Sequence, residues 1–159
     1  MGYVIGIAYD APRTELWSLI RKHGLESAVS GREREALTGG EISKQFKIDC
    51  KWLCESAQAL MWCLGRAEMA PAKHCDDDLS ERIPFKTDPA EFIGSAITRP
   101  VEDIARCADL YYRLHWYTKH CMLKIRECNL SNGIIMERRK ALDWAYGTEN
   151  NWDEVPLDT

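Results

Sequence analysis

Asp109 and Arg113 stand four residues apart, the spacing that puts two side chains on one face of a helix within ion-pair reach. Arg106, Trp116 and His120 continue the same row. A row of this kind can line a pocket for an anionic or aromatic ligand, because Arg grips carboxylates and phosphates bidentately and Trp stacks. The plainer and favoured reading is a solvated charge ladder worth about 0.3–0.5 kcal/mol per pair. His115 differs, since it falls on a core-facing position between Tyr111 and Thr118. A general base or metal ligand would sit there, but so would a core imidazole satisfied by hydrogen bonds, and the latter is the commoner case.

Four charged residues, Glu55, Arg113, Glu137 and Arg138, lie within helical patterns otherwise rich in apolar positions. Such groups are rarely buried unless paired. The expectation is therefore an inter-helix network that fixes the helix arrangement, pairs Asp109 with Arg113, and holds the Trp152–Asp153 segment against the bundle. His74-Cys75-Asp76-Asp77-Asp78 and His120-Cys121 gather metal-ligand types, but neither has a second half at a recognisable spacing. There is no Gly-x-Ser-x-Gly elbow, Walker loop or Gly-x-Gly-x-x-Gly. No metal, cofactor or catalytic residue is expected. Six tryptophans are a heavy load for 159 residues; core packing is the default role, and interface hot spots are the other.

Three segments must position these residues. Leu53, Ala57, Leu60, Met61 and Leu64 recur at helical spacing over 50–64, with Gly65 as the stop. Val101, Ile104, Ala108, Tyr111, His115, Thr118, Met122 and Ile125 form a stripe that predicts a helix over 101–128. A second row, Cys107, Leu110, Leu114, Tyr117 and Cys121, predicts that this helix is covered on more than one side. A third helix is expected over 134–146, ending at Gly147. Trp62, Leu110, Leu114 and Leu142 are the expected core residues. Upstream, Tyr3–Tyr9 reads as a short strand or an extended arm. A helix follows from Asp10 and Pro12 to Gly24, with a shorter one around 33–37 before Gly39-Gly40. Pro71, Pro84, Pro89 and Pro100 make 70–100 the long irregular connection. The predicted fold is a mainly α, single-domain helical bundle over 1–159.

Composition narrows the classes of partner. Twenty-one Lys and Arg against 25 Asp and Glu leave a net charge of −4, a poor basis for a general nucleic-acid or anionic-membrane binder. No apolar run approaches the roughly 20 residues of a transmembrane helix. The N-terminus carries neither a basic stretch nor a small-residue cleavage site. Seven cysteines, an odd number with several inside helical patterns, fit reduced thiols in a cytoplasm better than a secreted disulfide framework.

Three blocks carry a resemblance. Trp52-Leu53-Cys54-Glu55-Ser56-Ala57-Gln58-Ala59-Leu60-Met61-Trp62-Cys63-Leu64-Gly65 is the first, and Asp109-Leu110-Tyr111-Tyr112-Arg113-Leu114-His115-Trp116 the second. The third is Glu137-Arg138-Arg139-Lys140-Ala141-Leu142-Asp143-Trp144, with Trp152-Asp153-Glu154-Val155-Pro156-Leu157-Asp158-Thr159 closing the chain. Together, over 41–159, they resemble a family of uncharacterised, mainly bacterial proteins known only as a domain of unknown function. Ser56 departs from the family's Ala, and Asp143 from its Asn. The resemblance implies an α-helical cytoplasmic domain and brings no activity with it. By association with other small acidic bacterial domains, an immunity or antitoxin-like role is expected. Binding and neutralising a partner protein, a basic toxin or effector, is thus the favoured reading, with a homodimer also open. The alternative is an enzyme or small-ligand binder built on a polar pocket around Asp109, Arg113 and His115.

Overall fold

The computed structural model describes residues 1–85 and 87–158. Seven α-helices follow in order: α1 (Gly2–Ala8), α2 (Arg13–Lys22), α3 (Gly31–Thr38), α4 (Lys44–Cys63), α5 (Ala90–Gly94), α6 (Val101–Leu123) and α7 (Asn132–Tyr146). Among the described residues there is no strand, so the mainly α class holds. The chain divides into two compact units, one of residues 1–54 and 77–96, the other of 55–76 and 97–159. Helix α4 contributes its first half to one and its second half to the other.

In the first unit, Tyr3–Tyr9 is not a strand or an arm but most of α1. Its β-branched residues suggested a strand, yet Val4, Ile7 and Ala8 recur at steps of three and four, and those are the residues buried. They pack with Ile20, Ala36, Leu37 and Cys50 into one core. Helix α3 begins on a capping box: Ser30 Oγ accepts from Glu33 N–H at 3.3 Å, and Glu33 Oε2 accepts from Ser30 N–H at 3.1 Å. Arg13 of α2 donates to Ala36 O at 3.0 Å and Gly39 O at 2.9 Å, satisfying carbonyls at the end of α3 that have no helical partner. Residues 70–100 are less irregular than their prolines suggest, since α5 and a 3-10 turn at Leu79–Arg82 lie within them.

The second unit is an antiparallel hairpin of α6 and α7 packed on the latter half of α4. Its core joins Ala59 and Cys63 of α4, Ile104, Ala108 and Tyr111 of α6, and Ile135, Ala141 and Leu142 of α7. Leu142 is fully buried; Trp62 and Leu114 are partly buried against this cluster. Helix α4 starts six residues before the predicted Cys50, and α6 stops at Leu123 rather than Cys128. The second row of α6 is covered only in part: Cys107 and Leu114 pack against the core and Cys121 is buried. Leu110 is 46% exposed and Tyr117 43%, and of the predicted stripe Val101, Met122 and Ile125 also face water. For Met122 and Ile125 the reason is register: Thr118 Oγ1 donates to Asn132 Oδ1 at 2.8 Å, so α7 begins opposite Thr118 and these side chains overhang, although Cys121 in the same turn stays buried.

Candidate functional site

Arg138, 1% exposed, is the centre of the second unit's polar interior. Its Nε and Nη2 donate to Glu55 Oε2 at 3.0 and 2.7 Å. Nη1 donates to Ala70 O at 2.8 Å and Tyr111 Oη at 3.4 Å, and Nη2 also to Lys73 O at 2.9 Å. A guanidinium has five N–H groups, and all five are used. Glu55, 3% exposed, is equally engaged: its Oε1 accepts Cys75 N–H at 3.1 Å and lies 3.3 Å from His74 Nδ1. Next to it, Gln58 Nε2 donates to Glu68 O and Asp76 Oδ2, while its Oε1 accepts Asp76 N–H. Ser56 Oγ donates to the backbone and the carboxylate of Glu137. Breaking the expected Ala pattern at Ser56 thus places a hydroxyl where α7 offers two acceptors. Together these bonds tie the 68–76 segment, α6 and α7 to one another and to α4. This is a positioning network with its valences filled.

A second buried cation, Arg139, points to the other side of α7. Its Nη1 lies 2.9 Å from His115 Nδ1 and 3.1 Å from Asp158 O, and its Nε donates to Asp143 at 3.1 Å. The guanidinium carbon sits 4.6 Å from the Tyr112 ring centre. Burial first, then the Arg139 and Lys119 charges, drive the His115 pKa down to about 4. His115 is therefore neutral at pH 7, with Nδ1 as acceptor. Burial raises the Asp143 pKa, a shift that Arg139 opposes.

Through Asp158 this pair ties down the tail. Buried Val155 is its apolar anchor. Trp144 and Trp152 meet edge to face at 5.9 Å and 78°, and Lys140 Nζ lies 4.7 Å from the Trp152 ring centre. Trp144 Nε1 donates to Asn150 O at 3.3 Å. Asn151 caps the turn at Trp152–Glu154, accepting from Asp153 N–H and donating to Glu154. Glu149 accepts the N–H groups of Asn150 and Asn151. Residues 144–154 are thus held in one shape, with Trp144 39% and Tyr146 52% exposed. From 141 to 158 the chain carries five carboxylates and no Lys or Arg.

The predicted site residues do not converge. Glu55, Glu137 and Arg138 enter the interior as expected, and His115 is a satisfied core imidazole. Asp109 and Arg113 pair with each other at 2.9 Å on the solvent face of α6, their side chains 58% and 74% exposed. Arg113 therefore takes no part in the inter-helix network. His115 and Arg113 are two residues apart, about 200° around a helix, so no pocket can be built on both. Trp116, 54% exposed, stacks on His120 at 5.2 Å. Trp152 and Asp153 belong to the tail, which is held by Arg139 and Trp144 rather than by Arg138. Arg139, Ser56, Gln58 and Tyr111 were not picked out as site residues by the sequence. Adjacent arginines on one helix gave no sign that both would be buried. Among the described residues, no three His, Cys, Asp or Glu side chains gather to hold a metal ion. No helix there is long and apolar enough to cross a membrane.

A family model described as a domain of unknown function, DUF4272, matches residues 3–155. The chain belongs to the DUF4272 family. The DUF4272 match takes in the first forty residues as well, which the resemblance over 41–159 left aside. Neither a curated protein nor a solved structure matches the chain.

Proposed function

We propose that the chain is a cytoplasmic protein-binding module that captures a basic partner protein, and that the partner is a bacterial toxin which this chain neutralises. The observation that carries this reading is the 144–154 surface, where a Trp144–Trp152 pair is held on a stretch carrying Glu149, Asp153 and Glu154, with Lys140 the one cation placed against Trp152 among the described residues. Exposed, rigid aromatics are the side chains that most often dominate protein interfaces. The surrounding carboxylates would steer a cationic partner in and disfavour an acidic one. Prior ordering by Asn151, Glu149 and Val155 lowers the entropy cost of docking. A reducing compartment agrees with seven free cysteines.

Co-expression tests it. A toxin encoded beside this gene should kill cells alone and spare them with the wild-type chain. Trp144→Ala and the charge reversal Glu154→Lys, both at exposed positions, should each weaken protection and complex formation about tenfold or more. Killing that proceeds equally with and without the chain removes the immunity reading. Protection that survives both substitutions removes this surface.

A further inference from the structure

From Leu110 to Arg126 the chain has four Lys and Arg and no carboxylate, in a protein of net charge −4. This basic stretch ends on the overhanging turn of α6, at the opposite end of the α6–α7 hairpin from Trp144. Three apolar side chains there face water: Met122 is 64%, Leu123 81% and Ile125 96% exposed. Lys124 and Arg126 alternate with Leu123 and Ile125, half-buried Lys119 lies one turn back, and Glu127 closes the run. Trp116 and Tyr117 lie one to two turns back, about 10 Å along the helix.

The backbone gives an independent sign. Helix α6 ends in a Schellman turn, with Ile125 N–H bonded to Met122 O at 3.2 Å and Arg126 N–H to Cys121 O at 2.9 Å. The same turn ends α1, α2, α4 and α7, and there the left-handed residue is Asp10, which tolerates that region, or Gly24, Gly65 or Gly147. At α6 it is Ile125, at φ +50°. A β-branched residue is strained in that region, and this one gains no burial in return. The sequence keeps an isoleucine where glycine would serve the fold better.

We propose that this tip docks on an anionic lipid surface, Leu123 and Ile125 entering the headgroup boundary while Lys119, Lys124 and Arg126 meet lipid phosphates. Aliphatic residues outermost, cations among them, and Trp and Tyr set back is the layering of an interfacial anchor. A basic cluster and a few apolar side chains are the two signals that stable but reversible attachment requires. The whole-chain charge, which argues against membranes, averages away the local surplus. The inference is independent of the proposed function, since it uses the other end of the hairpin.

Co-sedimentation of the full chain with phosphatidylcholine vesicles, with and without phosphatidylglycerol, is the test. Binding should require phosphatidylglycerol and weaken as salt shortens the Debye length. The double variant Leu123→Ser/Ile125→Gly should lose affinity about tenfold or more, with unchanged helical content. Lys124→Glu should lose about fivefold or more. No binding to either vesicle overturns the proposal and turns attention to an acidic protein or a second copy. So does binding that ignores lipid charge, or that the double variant leaves intact.

Discussion

Arg138 and Arg113 carry the same charge on neighbouring helices and should have opposite weight. Removing Arg138 leaves Glu55 buried and charged with two carbonyls unpaired, which costs about 3–5 kcal/mol. Removing Arg113 breaks one exposed pair, worth about 0.5 kcal/mol or less. Urea denaturation of Arg138→Met and Arg113→Ala should show that contrast, and comparable losses would refute the assignment of the network. His115 gives a pH signature. Its pKa is about 4 in the fold against 6.5 unfolded. Above pH 6.5 it is neutral in both states and adds no pH dependence. Between 6.5 and 4 the unfolded chain takes up a proton that the fold refuses, so stability falls by up to about 3 kcal/mol. Thermal melts across that window should slope less for His115→Gln than for wild type. Glu55 and Arg138 were legible because a charge amid apolar helical positions needs a partner. Arg139 was not, because the tail that receives it is remote in sequence and has no periodicity.

Helix existence was readable wherever an apolar stripe met a stop residue, as at Gly65 and Gly147. What the pattern does not contain is the length of the neighbour. The apolar positions of α6 continue through Met122 and Ile125 in good register, but α7 begins opposite Thr118, so beyond it Cys121 is still buried while Met122 and Ile125 face water. At the N-terminus the error was of another kind, since seven residues rich in Val and Ile satisfy strand composition while their spacing satisfies a helix. Two of the Schellman turns, at Gly65 and Ile125, yield a paired prediction. Gly65 sits at φ +65°, and an added Cβ would stand 3.4 Å from Ile97 O. Gly65→Ala should therefore lose about 1–2 kcal/mol. Ile125→Gly should gain about 1 kcal/mol instead, since it relieves left-handed strain and exposes nothing new. A melting temperature that falls for Ile125→Gly would mean that Ile125 packs on something in solution.

At the scale of the molecule, the average charge conceals a segregation: carboxylates alone over 141–158, cations alone over 110–126. A pI near 5.6 could suggest the acidic surface but not the basic tip. The cysteines show the same gap between count and placement. All seven are free, with Cys50, Cys63 and Cys121 buried and the other four partly so. Burial pushes the Cys50, Cys63 and Cys107 thiols up to about 11, which leaves almost no thiolate at neutral pH. Native protein should thus react slowly and incompletely with a thiol reagent at pH 7.5, its reactive groups being among the half-buried Cys54, Cys75 and Cys128. In guanidinium without reductant the count should rise to seven. Reductant should leave the melting temperature unchanged, because the cores close on apolar contacts and hydrogen bonds rather than on a cross-link. A denatured count of five would reveal a disulfide, and with it a compartment other than a reducing cytoplasm.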